Sequence, residues 1–271
     1  MSELGQKEID AMLFRARRPG ILLNKTKSPD DPGATGCWLG GEPTMPPEID
    51  WPWYRETELG IETPMLLLAQ IDLTQVPRFA SLPSMPETGT LFFFHDPLYA
   101  PFYSYTAGSR VIYVDHDVSE LPMRPAPPLP EPEEIVDDGA RTLRRQIGTY
   151  RRWNVDFLIF EHFRHDLVPN RQLEDHALNA NSKVIDSLQK ITRPRHTGFG
   201  PDRAQGFAFH HMLGTCFEGN RYPDGELTRL LTIDMGGDQD IGFTGGERLV
   251  FWVPDDDLEA HNFDNALLLS E

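Results

Sequence analysis

Four histidines and one cysteine are the side chains of this sequence best suited to hold a metal ion. His162 and His165 are three residues apart and would share one face of a helix, while His210 and His211 lie close to Cys216 in the chain. Imidazole nitrogens and thiolates are common ligands of zinc. No third ligand stands at a familiar spacing, so the sequence favours histidines at the surface or in buried hydrogen bonds and predicts no metal site.

The acidic stretch DMGGDQDIGFTGGE, residues 234–247, alternates acids in the manner of a calcium-binding loop. Counting from Asp238 places a leucine at the twelfth position, where a bidentate glutamate is needed, and counting back from Glu247 places Ile241 where a glycine must turn. The pattern therefore indicates an acidic surface turn. The chain also contains no GxSxG, GxxxxGK[ST], HExxH or CxxC motif. The sequence accordingly predicts no catalytic residue, no cofactor and no enzyme activity.

Charge indicates a binding role. The formal net charge is -17, and such a protein repels a phosphate backbone, which disfavours nucleic acid as a partner. The acids are concentrated in residues 217–271, which hold thirteen Asp or Glu against three Arg. A solvated face that keeps the protein soluble is the ordinary interpretation of such runs. The alternative is a docking surface for a basic partner protein.

The candidate docking residues fall in two acidic regions and one aromatic segment. The first region is the pair of turns that flank the apolar segment GERLVFWV, and we expect its acids to lie near each other at one sheet edge. The second region follows a predicted strand, and the aromatic segment HDPLYAPFYSY offers either a contact patch or ordinary core residues. The residues are Asp238, Asp240, Asp255, Asp256, Asp257, Glu259, Asp115, Asp117, Tyr99, Phe102 and Tyr103.

Periodicity predicts the elements that would position these side chains. Ile9 and Leu13 lie one helical turn apart in an N-terminal segment with early acids and late arginines, which indicates an amphipathic helix rather than a signal peptide. Turn residues bound three predicted strands, at 65–71, 90–95 and 110–115. A proline-rich connector follows, and apolar residues at helical spacing predict two helices: Leu143, Ile147 and Tyr150 in one, and Val184, Leu188 and Ile191, behind Ser182, in the other.

Two segments of the chain have the same pattern. LLLAQID ends in Ile71-Asp72, and RLLTID ends in Ile233-Asp234. Each is followed by a loop and then by an apolar strand candidate that contains Leu91 in the first case and Leu249 in the second. The two spacings from aspartate to leucine differ so little that a short indel in the loop reconciles them. The pattern predicts an internal duplication of a β-rich unit in which each copy covers the sheet of the other.

These motifs resemble the YwqG-like family of bacterial proteins. The resemblance rests on the order of GGEPTMPPEIDWP, PMLLLAQIDLTQVP, LPSMPETGTLFFFHD, HHMLGTCFEG, RLLTIDM and GGERLVFWVPDDDLEAHNFDNALLL. It implies an α+β fold with two related β-rich halves packed together with flanking helices, and a role as an immunity protein beside a polymorphic toxin. It supplies no catalytic residue. The family often has a glutamine before the Ile-Asp pair; Gln70 keeps it, whereas Thr232 replaces it in the second copy.

The predicted organisation is one compact unit in three parts. Residues 1–121 hold the N-terminal helix and the first β-rich half, 122–206 the connector and a helical middle, and 207–271 the second half. Cys37 and Cys216 are far apart and in no paired motif, which indicates reduced thiols in the cytoplasm. We expect an immunity protein that neutralises a basic toxin, in particular a nuclease, with no membrane contact. The alternative is a small-molecule-binding protein or an enzyme that uses the groove between the halves.

Overall fold

Short apolar segments between turns dominate the chain, and most of them form β-strands. The structure is a computed structural model that describes residues 5–56, 61–79, 82–96, 108–128, 150–164, 171–192, 194–195, 206–207, 209–214, 226–236, 238, 240–243 and 248–270. The elements in chain order are α1 (Gln6–Ala16), β1 (Arg17–Lys25), β2 (Trp38–Leu39), β3 (Trp53–Glu56), β4 (Ile61–Pro64), β5 (Leu66–Asp72), β6 (Thr90–His95), β7 (Ser109–Val114), β8 (Trp153–Phe163), α2 (Arg171–Ile191), β9 (Pro194–Arg195), β10 (Gly206–Phe207), β11 (His211–Leu213), β12 (Leu227–Asp234), β13 (Arg248–Pro254), α3 (Asp255–Glu259) and β14 (Leu267–Ser270).

Ten strands form one sheet in the order β14-β13-β12-β11-β1-β8-β2-β5-β6-β7, and β3–β4 and β9–β10 form two-stranded ribbons. Every pairing between the described strands is antiparallel. The predicted α+β class is therefore wrong, since one continuous antiparallel sheet carries both halves and the helices are a minor part of the fold. Within the described residues the protein is mainly β, and only three helices, of 11, 21 and 5 residues, accompany the sheet. Strands supply its layers because most apolar segments are too short for helices.

The two longest strands, β1 and β8, lie side by side in the middle of the sheet. They pair over nine positions, from Arg17 opposite Phe163 to Lys25 opposite Val155. We call β2, β5, β6 and β7, on the β8 side, the first half, and β11, β12, β13 and β14, on the β1 side, the second half. The two halves are thus continuous through one hydrogen-bonded ladder.

The same pairing pattern occurs in both halves. In β5–β6 the ladder shifts register directly after Leu67, and in β12–β13 it shifts directly after Arg229. Each shift stands at the same place relative to the Ile-Asp pair that ends its strand. Beyond the shifts, Ala69 pairs with Phe93 and Leu231 pairs with Phe251, and each phenylalanine stands at the same place relative to the leucine of its strand. The strands β5 and β6 of one half are therefore equivalent to β12 and β13 of the other.

The core lies between the inner faces of the two halves, because the sheet folds over on itself. Phe93 of β6 contacts Phe251 of β13 edge to face, with ring centroids 5.2 Å apart, and these two residues occupy equivalent positions. The outer face of β6 is buried as well, with Phe92 and Phe94 in a second apolar cluster that includes Trp51. Burial on both faces explains the continuous apolar run TLFFFH, whereas a half-exposed strand would alternate.

Two helices pack beside the sheet. α1 begins where the Glu8 carboxylate accepts the backbone N–H of Gly5 at 3.0 Å, and it buries Ile9. α2 begins at Arg171, so the predicted start at Ser182 is wrong; the Ser182 hydroxyl instead donates to the Leu178 carbonyl within the helix. No helix in the described part of the chain is both long and apolar enough to span a membrane. The helix predicted around Leu143 and Ile147 falls outside the described residues.

Candidate functional site

The structure separates the predicted docking acids into two groups at opposite ends of β13. Asp238 and Asp240 lie at the end where Asp234 pairs with Arg248, while α3, which carries the other four acids, follows Pro254 directly. Seven strand residues at about 3.4 Å each put roughly 20 Å between these ends. The expectation that all six acids share one sheet edge is therefore wrong.

Asp238 and Asp240 belong to a buried ion cluster. Lys25 Nζ, at the end of β1, lies 2.7 Å from Asp238 Oδ1 and 2.9 Å from Asp240 Oδ2. The Lys25 side chain is 5 % exposed and that of Asp238 is fully buried. His210 adds a third contact: its Nδ1 accepts the Asp234 backbone N–H at 3.1 Å, so its Nε2 carries the proton and faces Asp238 Oδ2 at 3.4 Å. A residue held in this way is structural, and Asp238 is unavailable to a partner protein.

The ionised state of Asp238 is secured by its neighbours. Burial alone would raise the pKa of its carboxyl group, but the His210 hydrogen bond and the Lys25 ammonium outweigh burial and lower the pKa to about 2. Three backbone N–H groups, those of Ile241, Gly242 and Phe243, point at the Asp238 carbonyl at 3.0–3.2 Å. The cluster therefore anchors the turn at 240–243 to the central strand β1.

Asp115 and Asp117 stand exposed just beyond the end of β7, and we call them the acidic edge. Asp256 and Glu259 are exposed on α3, while Asp264 pairs with Arg110, near the start of β7, at 3.8 Å. The two halves meet here because Tyr113 of β7 contacts the rings of His261 and Phe263, which follow α3, at 6.2 and 5.5 Å. The side chains of Asp115 and Asp264 are 84 % and 82 % exposed. The fold thus brings the end of β7 against the loop after α3.

An acidic cleft of about 430 Å³ opens beside the acidic edge. Asp115 and Asp117 contribute to it together with Asp72, and most of its other lining residues carry hydroxyl or amide groups. Hydrogen bonds from the backbone and side chain of Ser119 lower the pKa of Asp117, so this carboxylate stays ionised. A cleft with three carboxylates and few apolar side chains is suited to a cationic group.

The other two acids of α3 are tied down within the protein. Asp255 Oδ1 accepts the Thr228 hydroxyl at 2.8 Å, and Asp257 accepts amide hydrogens from Asn262 and Asn265, each at 3.0 Å. They are partly buried, whereas Asp256 and Glu259 are exposed. Asp255 and Asp257 therefore shape the loop after α3 and contribute less to an interaction surface. The predicted aromatic residues Tyr99, Phe102 and Tyr103 fall outside the described residues.

The histidines form no metal site within the described part of the chain, where no three His, Cys, Asp or Glu side chains are grouped to hold an ion. Cys216 and His165 fall outside that part. His162 and His211 are buried against the ring of Phe160. Burial, and after it the charge of Arg229, keeps the pKa of His211 well below its usual value, so this ring is neutral.

A second cleft, of about 270 Å³, lies at the end of the central strands and is lined by three arginines. We call it the arginine cleft. Arg18 lies at the start of β1, Arg164 just beyond β8, and Arg229 in β12, while Pro83 comes from a loop of the first half. Its remaining lining residues are Pro19, Leu213, Gly214, Leu227, Thr228, Trp252 and Asp255. No local pattern indicated this cleft, since its arginines come from three distant parts of the chain.

The antiparallel fold, acidic edge and arginine cleft define a β protein with two sites of opposite charge. The chain belongs to the family described as Domain of unknown function (DUF1963), whose model matches residues 38–270. The matched region holds both halves of the sheet and leaves out α1 and β1. A comparison with curated proteins gives no match.

Proposed function

We propose that this protein acts by binding a basic partner protein at its acidic edge, and that the partner is a toxin whose activity it blocks. The observation that carries the proposal is the acidic cleft, where Asp115 and Asp117 stand at the surface beside Asp72. A lysine or arginine of the partner could enter this cleft and meet three carboxylates. The role proposed is binding, without a catalytic step.

The electrostatics favour such a partner. Nuclease domains are basic around their active sites because they hold nucleic acid, and a net charge of -17 steers the protein towards them. Binding at the basic site would exclude the nucleic acid substrate. The resemblance of the sequence motifs to the YwqG-like family is the basis for proposing an immunity protein, and the buried free thiol of Cys37 is consistent with the cytoplasm.

The test is binding to the purified toxin domain encoded by the neighbouring reading frame. Asp115→Lys combined with Asp117→Lys should lower the association rate constant by about tenfold or more at low salt, because rim charges act mainly on the encounter. The difference should shrink at high salt, where exposed charges are screened. Protection of cells that express the toxin should fall in parallel.

The matched control is Asp175→Lys combined with Asp186→Lys. Both aspartates are exposed on α2, which packs on β8 in the middle of the sheet, and the pair changes the net charge by the same amount. If both double variants slow association equally, only the overall charge matters and the acidic edge is not the binding site. If the neighbouring product does not bind the parent protein at all, the proposed function is wrong.

A further inference from the structure

We propose that the arginine cleft is a binding site for a small anion that carries a carboxylate or phosphate group. This site shares no lining residue with the acidic cleft, and the inference does not depend on binding of a toxin. The inference gives a definite location to the alternative of a small-molecule site between the halves. The residues that line the cleft come from the second half, from the central strands and from a loop of the first half.

The repeated register identifies what occupies the same position in the first half. Trp38 pairs with Gln70 and His211 pairs with Thr232, and these partners precede the two Ile-Asp pairs, so Leu39 and Met212 are equivalent. Ile21 of β1 pairs with Met212, and Trp153 of β8 pairs with Leu39. Ile21 and Trp153 are therefore equivalent. Counting back equally far from each of them makes Tyr150 the equivalent of Arg18. The register of β5 and β12 makes Leu67 the equivalent of Arg229 in the same way.

We call the region around Tyr150 the first corner and the equivalent region around Arg18 the second corner. The first corner is filled by side chains. The Tyr150 ring stacks on His95, with centroids 5.7 Å apart, and meets Phe243 edge to face at 4.9 Å. Its hydroxyl is hydrogen-bonded to His95 Nε2 at 2.8 Å. Leu67 packs in an apolar cluster on the outer face. The equivalent corner of the second half holds guanidinium groups around open space instead.

The arginines are supported as binding groups would be. Arg229 is 3 % exposed; its guanidinium lies 5.0 Å from the centre of the Trp252 ring, and its Nη1 donates to the Thr232 hydroxyl at 3.2 Å. Arg18 Nη1 donates to the carbonyls of Arg15 and Arg17, which orients its side chain. Planar guanidinium groups held in place match carboxylate and phosphate oxygens in two-point contacts.

The size and charge of the cleft set the ligand class. About 270 Å³ is close to the lower end of ligand pockets and suits a molecule of metabolite size. Among the described residues, three arginines line it against one acid, Asp255, in a protein whose net charge is -17. Guanidinium groups at the wall of a cavity attract an anion that enters it.

Calorimetric titration with inorganic phosphate and with succinate, at constant ionic strength, tests the site. We expect the parent protein to bind at least one of them with a dissociation constant below about 1 mM. Arg18→Gln should weaken that binding about tenfold or more, since a charge-assisted contact is lost. Arg17→Gln is the matched control, because this adjacent arginine pairs with Glu161 at the exposed surface.

The two probes distinguish the ligand classes. Binding of phosphate alone assigns a phosphate compound, binding of succinate alone assigns a carboxylate, and binding of both leaves the shared oxyanion chemistry. Arg229→Leu, which installs the residue of the first half, should abolish binding while the far-ultraviolet circular dichroism stays that of the parent. The proposal is overturned if neither probe binds at about 10 mM, or if Arg18→Gln and Arg17→Gln bind equally well.

Discussion

The corner around Tyr150 in the first half and the corner around Arg18 in the second half have the same backbone frame and different contents. Both adjoin a chain segment that leaves its strand with two consecutive residues at positive φ, Gly40 and Gly41 in one half and Leu213 and Gly214 in the other. The first corner is packed with aromatic rings, and the second is a polar cleft. Strand register and turn geometry therefore persist where the side-chain chemistry has changed completely.

Gly40 and Leu213 occupy equivalent backbone positions, and the packing around each position determines which residue fits there. A Cβ atom at Gly40 would stand 2.6 Å from the Arg151 carbonyl oxygen, so only glycine fits beside the filled corner. Leu213 has a φ of 58° in the equivalent place, and its side chain lines the arginine cleft. A left-handed leucine is costly and is more common at functional positions.

A buried hydrogen bond is also kept with different atoms. The backbone N–H of Asp72 donates to Cys37 Sγ at 3.2 Å, and that of Asp234 donates to His210 Nδ1 at 3.1 Å. Cys37 and His210 precede equivalent strands, β2 and β11. In the first half the Cys37 thiol also lies 3.7 Å from the carbonyl oxygens of Thr35 and Asp72, and burial raises the pKa of this thiol above its usual range. In the second half the imidazole also contacts Asp238, and among the described residues the ion cluster occurs in that half alone.

Phe243→Ala should have the largest effect on stability. Phe243 is fully buried and fills the first corner against Tyr150, so its removal leaves a cavity and should lower the free energy of unfolding by about 3–5 kcal/mol. Pro83→Ala at the arginine cleft should cost less than about 1 kcal/mol. Urea unfolding of both variants measures these losses in the free energy of unfolding. Equal losses would mean that both corners are packed alike, which would end the contrast between them.

Lys25→Met should cost somewhat less, about 3 kcal/mol. The substitution leaves the carboxylate of Asp238 buried with the His210 hydrogen bond but without its cation. Because the cluster anchors the turn that carries Phe243, the first corner should loosen as well. Near-ultraviolet circular dichroism reports the aromatic packing there. Arg17→Met, which removes the exposed ion pair with Glu161, is the control and should cost under about 1 kcal/mol; a similar cost for both variants would contradict the prediction.

Acid should weaken the filled corner through His95. Burial lowers the pKa of this imidazole to about 3 in the folded protein, below the value of about 6.5 in an unfolded chain. The unfolded state therefore binds the proton first, so the stability is present above pH 6.5 and is lost as the pH falls towards 3. From pH 7 to pH 5, the free energy of unfolding of the parent should fall by roughly 2 kcal/mol relative to His95→Val.

The substituted valine is the residue of the second half at that position, Val253. Val111→Ala serves as the control, since Val111 is buried in β7 and carries no titratable group, and it should keep a constant difference from the parent over the same pH range. Urea titrations at several pH values give these differences. A parallel pH dependence in the parent and His95→Val would show that His95 plays no part.

The sequence predicted local structure well and long-range chemistry poorly. Apolar runs bounded by turns placed the strands at 65–71, 90–95 and 110–115 within one residue of β5, β6 and β7. The start of α2 was missed because its first ten residues carry few apolar side chains. The pairing of Lys25 with Asp238 joins residues 213 positions apart, and acids in a turn ordinarily indicate the surface. A lysine at the end of the apolar segment GILLNK was the only local sign of a buried charge.

Gly214→Ala should have a small effect and tests directly whether the second corner is open. A methyl group at this position would meet no heavy atom closer than 3.5 Å, so the cost comes from the φ of 82° and should be about 1 kcal/mol. At the equivalent Gly41, the same methyl group would stand 2.6 Å from Arg152 Cβ. This atom is attached directly to the Arg152 backbone and cannot move aside easily. Gly41→Ala should therefore cost roughly 1–3 kcal/mol more. Thermal unfolding measures the difference, and equal melting temperatures for the two variants would show that the second corner is as crowded as the first.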